Sequence, residues 1–325
     1  MLKNMILLTA TCLGLFLSVQ QTCFAQEQMK AAVIAGEWKS LAENTQEDAI
    51  GHFTKAVANG VIGNYKLMSD EFDKSKSDKS AINTFCDELL NHNPKNGYVT
   101  FLDGVRLYDL GETVKGISSY KKSIDLDPKF AAPYVQIGLH YGQKEKDNSQ
   151  EILWLNKAIA ADQTYYPAYY ALGAAYNEMG KQSLAIEQFK KTLELLEAAK
   201  ISKGQPFGDA SYNLGWMFLN QSPPDNDKGI DLMEKAIAAD PNRLEAYTEL
   251  GIAYKRKGQF SKSVQTYKNG ISKGADSAKI YFNLGVSEYR NGNTQGAKTA
   301  FQKAISLDPG GQIGNLAKQW LGQVQ

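Results

Sequence analysis

Few residues in this 325-residue chain could do acid–base, nucleophilic or metal chemistry. The histidines are His52, His92 and His140, and Cys86 is the only cysteine beyond residue 25. A thiol nucleophile needs a base beside it, and a zinc site needs several ligands at short spacings. The sequence has no such spacing, no nucleophile elbow, no phosphate-binding glycine loop, and neither a His-Glu-x-x-His nor a Cys-x-x-Cys motif. We therefore expect no enzyme activity, no metal and no cofactor, with Cys86 as a buried structural thiol.

The composition is that of a folded protein without a strong charge preference. Lys and Arg total 36 and Asp and Glu total 35, for a formal net charge of +1. Hydrophobic residues make up 43% and charged residues 22% of the chain, which are ordinary values for a globular protein. The charge balance gives no reason to expect nucleic acid as a partner.

The first 25 residues have the pattern of a secretory signal peptide. Lys3 is the only charge, an apolar run extends over 5–19, and the small residue Ala25 precedes Gln26. The run is shorter than the roughly 20 residues that span a membrane. We expect a signal peptide at 1–25 and export, to the periplasm in a Gram-negative source. The alternative is a membrane anchor formed by an uncleaved 5–19.

A regular period runs through the rest of the chain. Glycines in a common setting lie 34, 35, 42, 36 and 34 residues apart, at Gly104, Gly138, Gly173, Gly215, Gly251 and Gly285. From the second onward an apolar residue precedes each glycine, and an aromatic residue follows most of them three places later. Further on, small residues precede a bulky one by four places, as at Ala297 and Phe301, and three units close with Asp-Pro. Spacings of three and four place side chains on one face of a helix.

This pattern resembles the tetratricopeptide repeat, a 34-residue pair of antiparallel helices. The best match is 278–311, with Tyr281, Leu284, Gly285, Gly292, Ala297, Phe301, Ala304 and Pro309 in the family's positions. The resemblance implies an all-α fold, a right-handed solenoid of helix-turn-helix repeats that ends in a capping helix. Repeat identity is strong evidence for a fold and weak evidence for a function.

The repeat pattern predicts the organisation of the chain. We place six units at 97–130, 131–165, 166–199, 208–243, 244–277 and 278–311. Residues 26–96 form a helical N-terminal extension of one or two degenerate repeats, and 312–325 form the C-terminal capping helix. An insertion at 200–207 interrupts the period and is interpreted as a surface loop.

The resemblance also implies a binding surface, because the first helix of each repeat lines a concave groove in this family. The positions that match are Tyr170, Asn177, Tyr212, Asn213, Trp216, Glu249, Lys255, Arg256, Asn283, Tyr289 and Arg290. Aromatic residues beside hydrogen-bonding groups suit an extended peptide or a docked helix. The other interpretation is that Tyr212 and Trp216 pack against the insertion. The family's clamp for chaperone carboxyl termini is not expected, since Glu245 and Glu249 would repel the carboxylate ligand.

We therefore expect a non-catalytic scaffold or adaptor that binds a protein or peptide partner in its groove, in cell-envelope assembly or secretion. One alternative is an enzyme with its site in residues 26–96. A convergent cluster of buried polar groups around His52 or His92 would favour it, and a continuous apolar core there would argue against it. Another alternative is a small-molecule or glycan binder using Tyr170, Tyr212 and Trp216, which a closed, ligand-sized pocket would favour.

Overall fold

The computed structural model describes residues 25–43 and 46–324, except for the side chains of residues 65 and 66. The predicted signal peptide lies outside the described residues apart from Ala25. The described residues contain helices and connecting turns but no strand, so the predicted all-α fold is confirmed. The chain divides into two compact units, an N-terminal unit ending at Ala175 and a C-terminal unit beginning at Tyr176.

The helices follow one another along the chain with short connections. They are α1 (25–35), α2 (Trp38–Ala42), α3 (Ala49–Val61), α4 (Tyr65–Ser75), α5 (Lys79–His92), α6 (Gly97–Asp109), α7 (Thr113–Leu126), α8 (Ala132–His140), α9 (Asn148–Ala161), α10 (Tyr166–Glu178), α11 (Gln182–Ala198), α12 (Gln205–Asn220), α13 (Asn226–Ala239), α14 (Leu244–Arg256), α15 (Phe260–Ser272), α16 (Ala278–Arg290), α17 (Thr294–Leu307) and α18 (Gln312–Gln323). Each of the six predicted units corresponds to two consecutive helices, a first and a second, although α12 of the fourth unit begins at Gln205, before the predicted start at 208.

Polar side chains fix where several of the helices begin and end. Asn96, Asp225 and Asn293 cap α6, α13 and α17 by accepting hydrogen bonds from backbone N–H groups of the first turn. Asp308 ends α17, and its carboxylate accepts from the backbone of Ile313 at 3.0 Å, at the start of α18. The Asp-Pro position therefore ends one helix and orients the next.

In the N-terminal unit, the extension and the first repeats share one apolar core. It runs from Val33 and Phe53 through Phe85 and Phe101 to Ile137, all with at most 3% exposure. Helix α3 packs against α2, α4 and α5, and α5 packs against α6. The extension is therefore part of the same folded body as the predicted repeats 97–130 and 131–165.

The second of these repeats departs from the pattern by placing Glu151 where a small residue is usual. Glu151 is buried, and its carboxylate faces Gly142. A Cβ at Gly142 would collide with the Glu151 carboxylate. Gly142 lies within a π-helical turn, Tyr141–Glu145, and the absence of a side chain there leaves room for the Glu151 carboxylate.

In the C-terminal unit, one fully buried bulky residue from each second helix fills the space between neighbouring helices. These residues are Phe189, Met233, Tyr267 and Phe301. Helix α18 packs on α16 and α17, with Ala317 fully buried and the ring centroids of Trp320 and Phe301 6.0 Å apart. The predicted C-terminal capping helix is confirmed.

The predicted insertion 200–207 is shorter as a loop than its sequence suggested. Its last three residues are helical, because α12 begins at Gln205 with Pro206 in its first turn. Gly204 precedes the helix at φ 84° and donates its N–H to the Ala239 carbonyl at 3.0 Å. The loop is thus tied to the end of α13.

Candidate functional site

The first helices of the three repeats in the C-terminal unit, α12, α14 and α16, pack side by side. We call the side that carries their polar cross-links the first-helix face. Helices α14 and α16 are joined by Lys279, whose ammonium lies 3.0 Å from the Glu249 carboxylate. Helices α12 and α14 are joined by Arg256, which donates to the Leu219 carbonyl at 2.8 Å. Two of the predicted groove residues, Glu249 and Arg256, therefore also hold neighbouring repeats together.

The aromatic residues predicted for the groove differ in their exposure to solvent. Trp216 is 39% exposed and Tyr289 is 38% exposed, and both are among the largest exposed apolar side chains of the described chain. Tyr289 also lies edge-on to Trp320 of the capping helix, with the ring centroids 6.1 Å apart. Large exposed aromatic side chains are typical of binding surfaces. Two of the predicted groove aromatics, Trp216 and Tyr289, are therefore exposed enough to contact a partner.

Tyr212 is partly buried, whereas Trp216 on the same helix is exposed. The Arg243 guanidinium stacks over its ring at 4.8 Å, and the ring packs against the cluster around Met233 and Leu250. Burial first, and then the Glu249 and Glu245 carboxylates, raise the pKa of the phenol to about 12. Tyr212 therefore packs against the core and leaves only part of its side chain exposed to solvent.

Lys255 occupies an unusual position for a cation. Its ammonium donates to the Asn283 side-chain oxygen at 2.6 Å, and Asn283 in turn donates to the Lys279 carbonyl at 2.9 Å. Burial, and then the neighbouring Arg256, lower the pKa of Lys255. Among the described residues, no carboxylate lies within ion-pair distance of its ammonium. A half-buried positive charge without a counter-charge favours an acidic group on a bound molecule.

The remaining predicted residues are placed as follows. Asn213 is half-buried on α12, Arg290 is exposed at the end of α16, and Asn177 is exposed near the end of α10. Tyr170 belongs to the N-terminal unit, where it lines a cavity described below. Among the predicted residues, a hydrogen bond links Lys255 to Asn283, and Tyr170 belongs to a different environment.

Sequence reasoning did not select Arg243, Lys279 or Asp209. Arg243 pairs with the Asp209 carboxylate, which joins α12 to the start of α14. Lys279 pairs with Glu249, and an equivalent pair joins Lys257 to Asp227 across the same 30-residue separation. Opposite charges separated by slightly less than one repeat were therefore a usable signal for contacts between neighbouring repeats.

The N-terminal extension contains a buried polar cluster around His52. The His52 Nδ1 lies 2.6 Å from the Glu71 carboxylate and the Nε2 lies 3.5 Å from Glu47. Lys74 and Lys55 lie 3.0 and 3.7 Å from Glu71. This is the convergent cluster that would favour an enzyme. The Glu71 side chain is buried with His52, whereas the Glu47 side chain is 73% exposed.

The apolar core that would argue against an enzyme is present in the same segment. Phe53 follows His52 directly and is 1% exposed, and Phe85 and Leu89 of α5 join the same core. The other histidine of the segment, His92, is exposed and bonds the Glu88 carbonyl at 2.7 Å. The buried polar cluster around His52 therefore lies beside a continuous apolar core formed by the packed helices.

The described part of the chain contains neither a metal-binding cluster nor a membrane-spanning helix. Within it, no group of three or more His, Cys, Asp or Glu side chains could hold a metal ion. Residues 25–43 and 46–324 also include no helix that is both long and apolar enough to cross a membrane.

Comparison with protein-family models identifies the repeats. Tetratricopeptide-repeat models match residues 166–195, 232–265 and 278–310. The chain is a tetratricopeptide-repeat protein. The third match covers α16 and α17, which is the pair on which the sequence pattern was clearest.

Two named proteins with similar sequences are each 26% identical to this chain over the matched residues. The photosystem I assembly protein Ycf3 of a strain of Prochlorococcus marinus is 26% identical over 163 residues, or 50% of this chain and 78% of Ycf3. Tetratricopeptide repeat protein 37 of Xenopus laevis is 26% identical over 216 residues, or 64% of this chain and 13% of that protein.

Two solved structures share the fold of this tetratricopeptide-repeat protein. YrrB, a TPR protein with an unusual peptide-binding site, superimposes with a TM-score of 0.53 at 20% identity, over 62% of this chain and 97% of YrrB. The pilF protein of Pseudomonas aeruginosa gives 0.56 at 14% identity, over 69% of this chain and 97% of pilF. At these identities the likeness is one of fold.

Proposed function

We propose that this tetratricopeptide-repeat protein is a non-catalytic scaffold that binds an extended peptide or a partner helix on the first-helix face of its C-terminal unit. Such repeats generally present continuous surfaces to protein partners. The observations that carry the proposal are an exposed Trp216 on α12 and, on the neighbouring helix α14, a half-buried Lys255 with no carboxylate partner among the described residues.

The chemistry of the face describes the partner that fits it. A large apolar side chain of the partner would pack on Trp216, because desolvated aromatic anchors supply much of the energy of protein interfaces. An acidic side chain or a carboxyl terminus would pair with Lys255, where a charge-assisted hydrogen bond replaces water. The partner is thus a segment with both apolar and acidic groups.

The cellular setting is also part of the proposal. The basic start, the apolar run 5–19 and the small residue Ala25 support export and work in the cell envelope, in assembly or secretion. The similarity to a protein named for photosystem I assembly supports an assembly role in general terms.

Affinity capture with the full-length chain tests the binding face. We expect Trp216→Ala, Lys255→Gln and their combination to lose a partner that wild type retains from extracts of the source cell. Leu184→Ala is the matched control, because Leu184 is 40% exposed in the same unit but lies on the second helix α11. A partner retained equally by wild type and all four variants would move the interface away from this face.

A further inference from the structure

The N-terminal unit contains a partly enclosed cavity of about 420 Å³ between helices of the extension and the first helices of the repeats. Most of its wall is apolar or aromatic, and the lining includes Met68, Phe72, Phe101, Val105, Leu139 and Ala174. Small-molecule sites in proteins have volumes of about 300–1,000 Å³ and are lined mainly by such residues, with a few polar groups. The cavity has the size and lining of a ligand site.

Helices α3 and α4 form one wall of this cavity, and hydrogen bonds from repeat residues fix the turn between these two helices. The Tyr165 hydroxyl donates to the Val61 carbonyl at 2.6 Å, and the Tyr166 hydroxyl donates to the Ile62 carbonyl. Gly63 follows at φ 78°, where a Cβ would lie 3.0 Å from the Tyr166 ring. The turn after α3 is thus fixed against the start of α10. The cavity lies between α3 and α4 on one side and α6, α8 and α10 on the other.

The polar groups lie together in one part of the wall. The Tyr108 hydroxyl and His140 Nδ1 are 3.2 Å apart, and their rings meet edge to face. Gln136 and Gln143 lie beside them, and the one charged residue in the lining is Asp109, which is exposed. No lysine or arginine lines the described cavity. A bound anion would lose its hydration without gaining a counter-charge.

We propose that this cavity binds an uncharged, largely apolar small molecule whose hydrogen-bonding group faces Tyr108 and His140. The wall supplies the apolar contact, and the tyrosine–histidine pair can both donate and accept a hydrogen bond. The site is separate from the first-helix face, and its existence does not depend on the proposed scaffold function.

The probe for this site is 1-N-phenylnaphthylamine, an uncharged apolar dye whose fluorescence rises on leaving water. The full-length wild type is expected to bind it saturably. Ala174→Phe, which places a ring in the cavity, is expected to weaken binding by about tenfold or more, equivalent to about 1.4 kcal/mol. Ala31→Phe adds the same ring at an exposed position of α1 and is the matched control. Val105→Trp is a second filling variant if Ala174→Phe does not fold, as judged by circular dichroism.

Competition between two ligands of equal chain length tests the charge preference. Decanol is expected to displace the dye at a concentration at least about tenfold lower than decanoate at pH 8, because burying the carboxylate costs free energy. The proposal is wrong if the dye does not bind, if folded filling variants bind it as wild type does, or if decanoate competes better. Trp216→Ala should leave dye binding unchanged, which separates this site from the scaffold function.

Discussion

Phe301 occupies the space that a side chain at Gly285 would need, since a Cβ there would lie 2.6 Å from the Phe301 ring. The same relationship joins Gly104 to Tyr120, at 2.7 Å, and Gly251 to Tyr267. In these three repeats, a glycine on the first helix lets a bulky residue from the paired second helix lie directly against its backbone. This contact is the physical basis of the period in the sequence.

Substitution of that glycine should therefore destabilise the repeat. Gly285→Leu is expected to lower the free energy of unfolding by about 1–3 kcal/mol, because the added side chain overpacks the helix crossing. Gly322→Leu on α18 is the control, since a Cβ there has no described atom within 4 Å. Urea denaturation followed by circular dichroism measures both. Equal stabilities would show that the helices do not pair as described.

Lys255 should matter for binding more than for folding. Lys255→Gln retains a donor toward Asn283 and is expected to change unfolding free energy by no more than about 0.5–1 kcal/mol. The affinity for an acidic partner should fall by about tenfold, as for loss of one charge-assisted hydrogen bond. Isothermal titration with the captured partner measures this, with Lys235→Gln, exposed on α13, as the control. An unchanged affinity would remove Lys255 from the interface.

The pH dependence of the same interaction has a definite sign. Because burial lowers the pKa of Lys255, its ammonium loses its proton at a lower pH than an exposed lysine does. The affinity for an acidic partner should therefore weaken as the pH rises toward the ordinary lysine pKa of about 10.4. The Lys255→Gln protein should show a flatter profile over that range, and parallel profiles would contradict the assignment.

The Glu71 carboxylate should make the N-terminal unit sensitive to acid. Burial opposes its ionisation, but hydrogen bonds from His52 and Lys74 outweigh burial and lower its pKa. A lowered folded-state pKa contributes stability above the unfolded pKa of about 4.3, and this is lost as the pH falls through the folded value. Glu71→Gln should be less stable at neutral pH and lose less on acidification.

Denaturation curves at several pH values between 7 and 3 measure this difference. Glu37→Gln, an exposed carboxylate of the same unit, is the control and should follow wild type. If Glu71→Gln and wild type lost stability in parallel, the cluster around His52 would not be the source of the acid sensitivity.

Cys86 should be unreactive while the protein is folded. Its side chain is 1% exposed on α5, and burial raises the pKa of the thiol, so little thiolate is available. Iodoacetamide at pH 8 should modify the peptide that contains Cys86 only after denaturation, as read by mass spectrometry. Rapid modification of the native protein would mean that α5 opens readily.

The sequence predicted the helix pairs well because their determinants are local and periodic. The glycine and bulky positions of 278–311 fall where α16 and α17 pack, and the pattern predicted the cap that follows. Departures from the pattern have compensations that lie elsewhere in the chain. Glu288 replaces the usual aromatic residue, is 3% exposed, and pairs with Lys268 at 2.7 Å. Such a pair has no fixed spacing and is visible only in the structure.

The candidate sites were less predictable because they depend on contacts between distant segments. The groove positions come from the repeat register, but that register does not show that Tyr212 lies under Arg243. The cavity requires the α3–α4 hairpin to lie against Tyr165 and Tyr166, at a separation of 104 positions along the chain. Hydrophobic periodicity within a helix carries no information about such a contact.

Site-specific photo-crosslinking tests the central claim, that the first-helix face binds a protein partner. A photoreactive phenylalanine analogue would replace Trp216 in one protein and Leu184 in another, and each would be irradiated in the source cell. We predict a partner crosslinked from position 216 and not from position 184, with a yield that falls when Lys255→Gln is added. Equal crosslinking from both positions, or none from position 216, would contradict a binding site on this face.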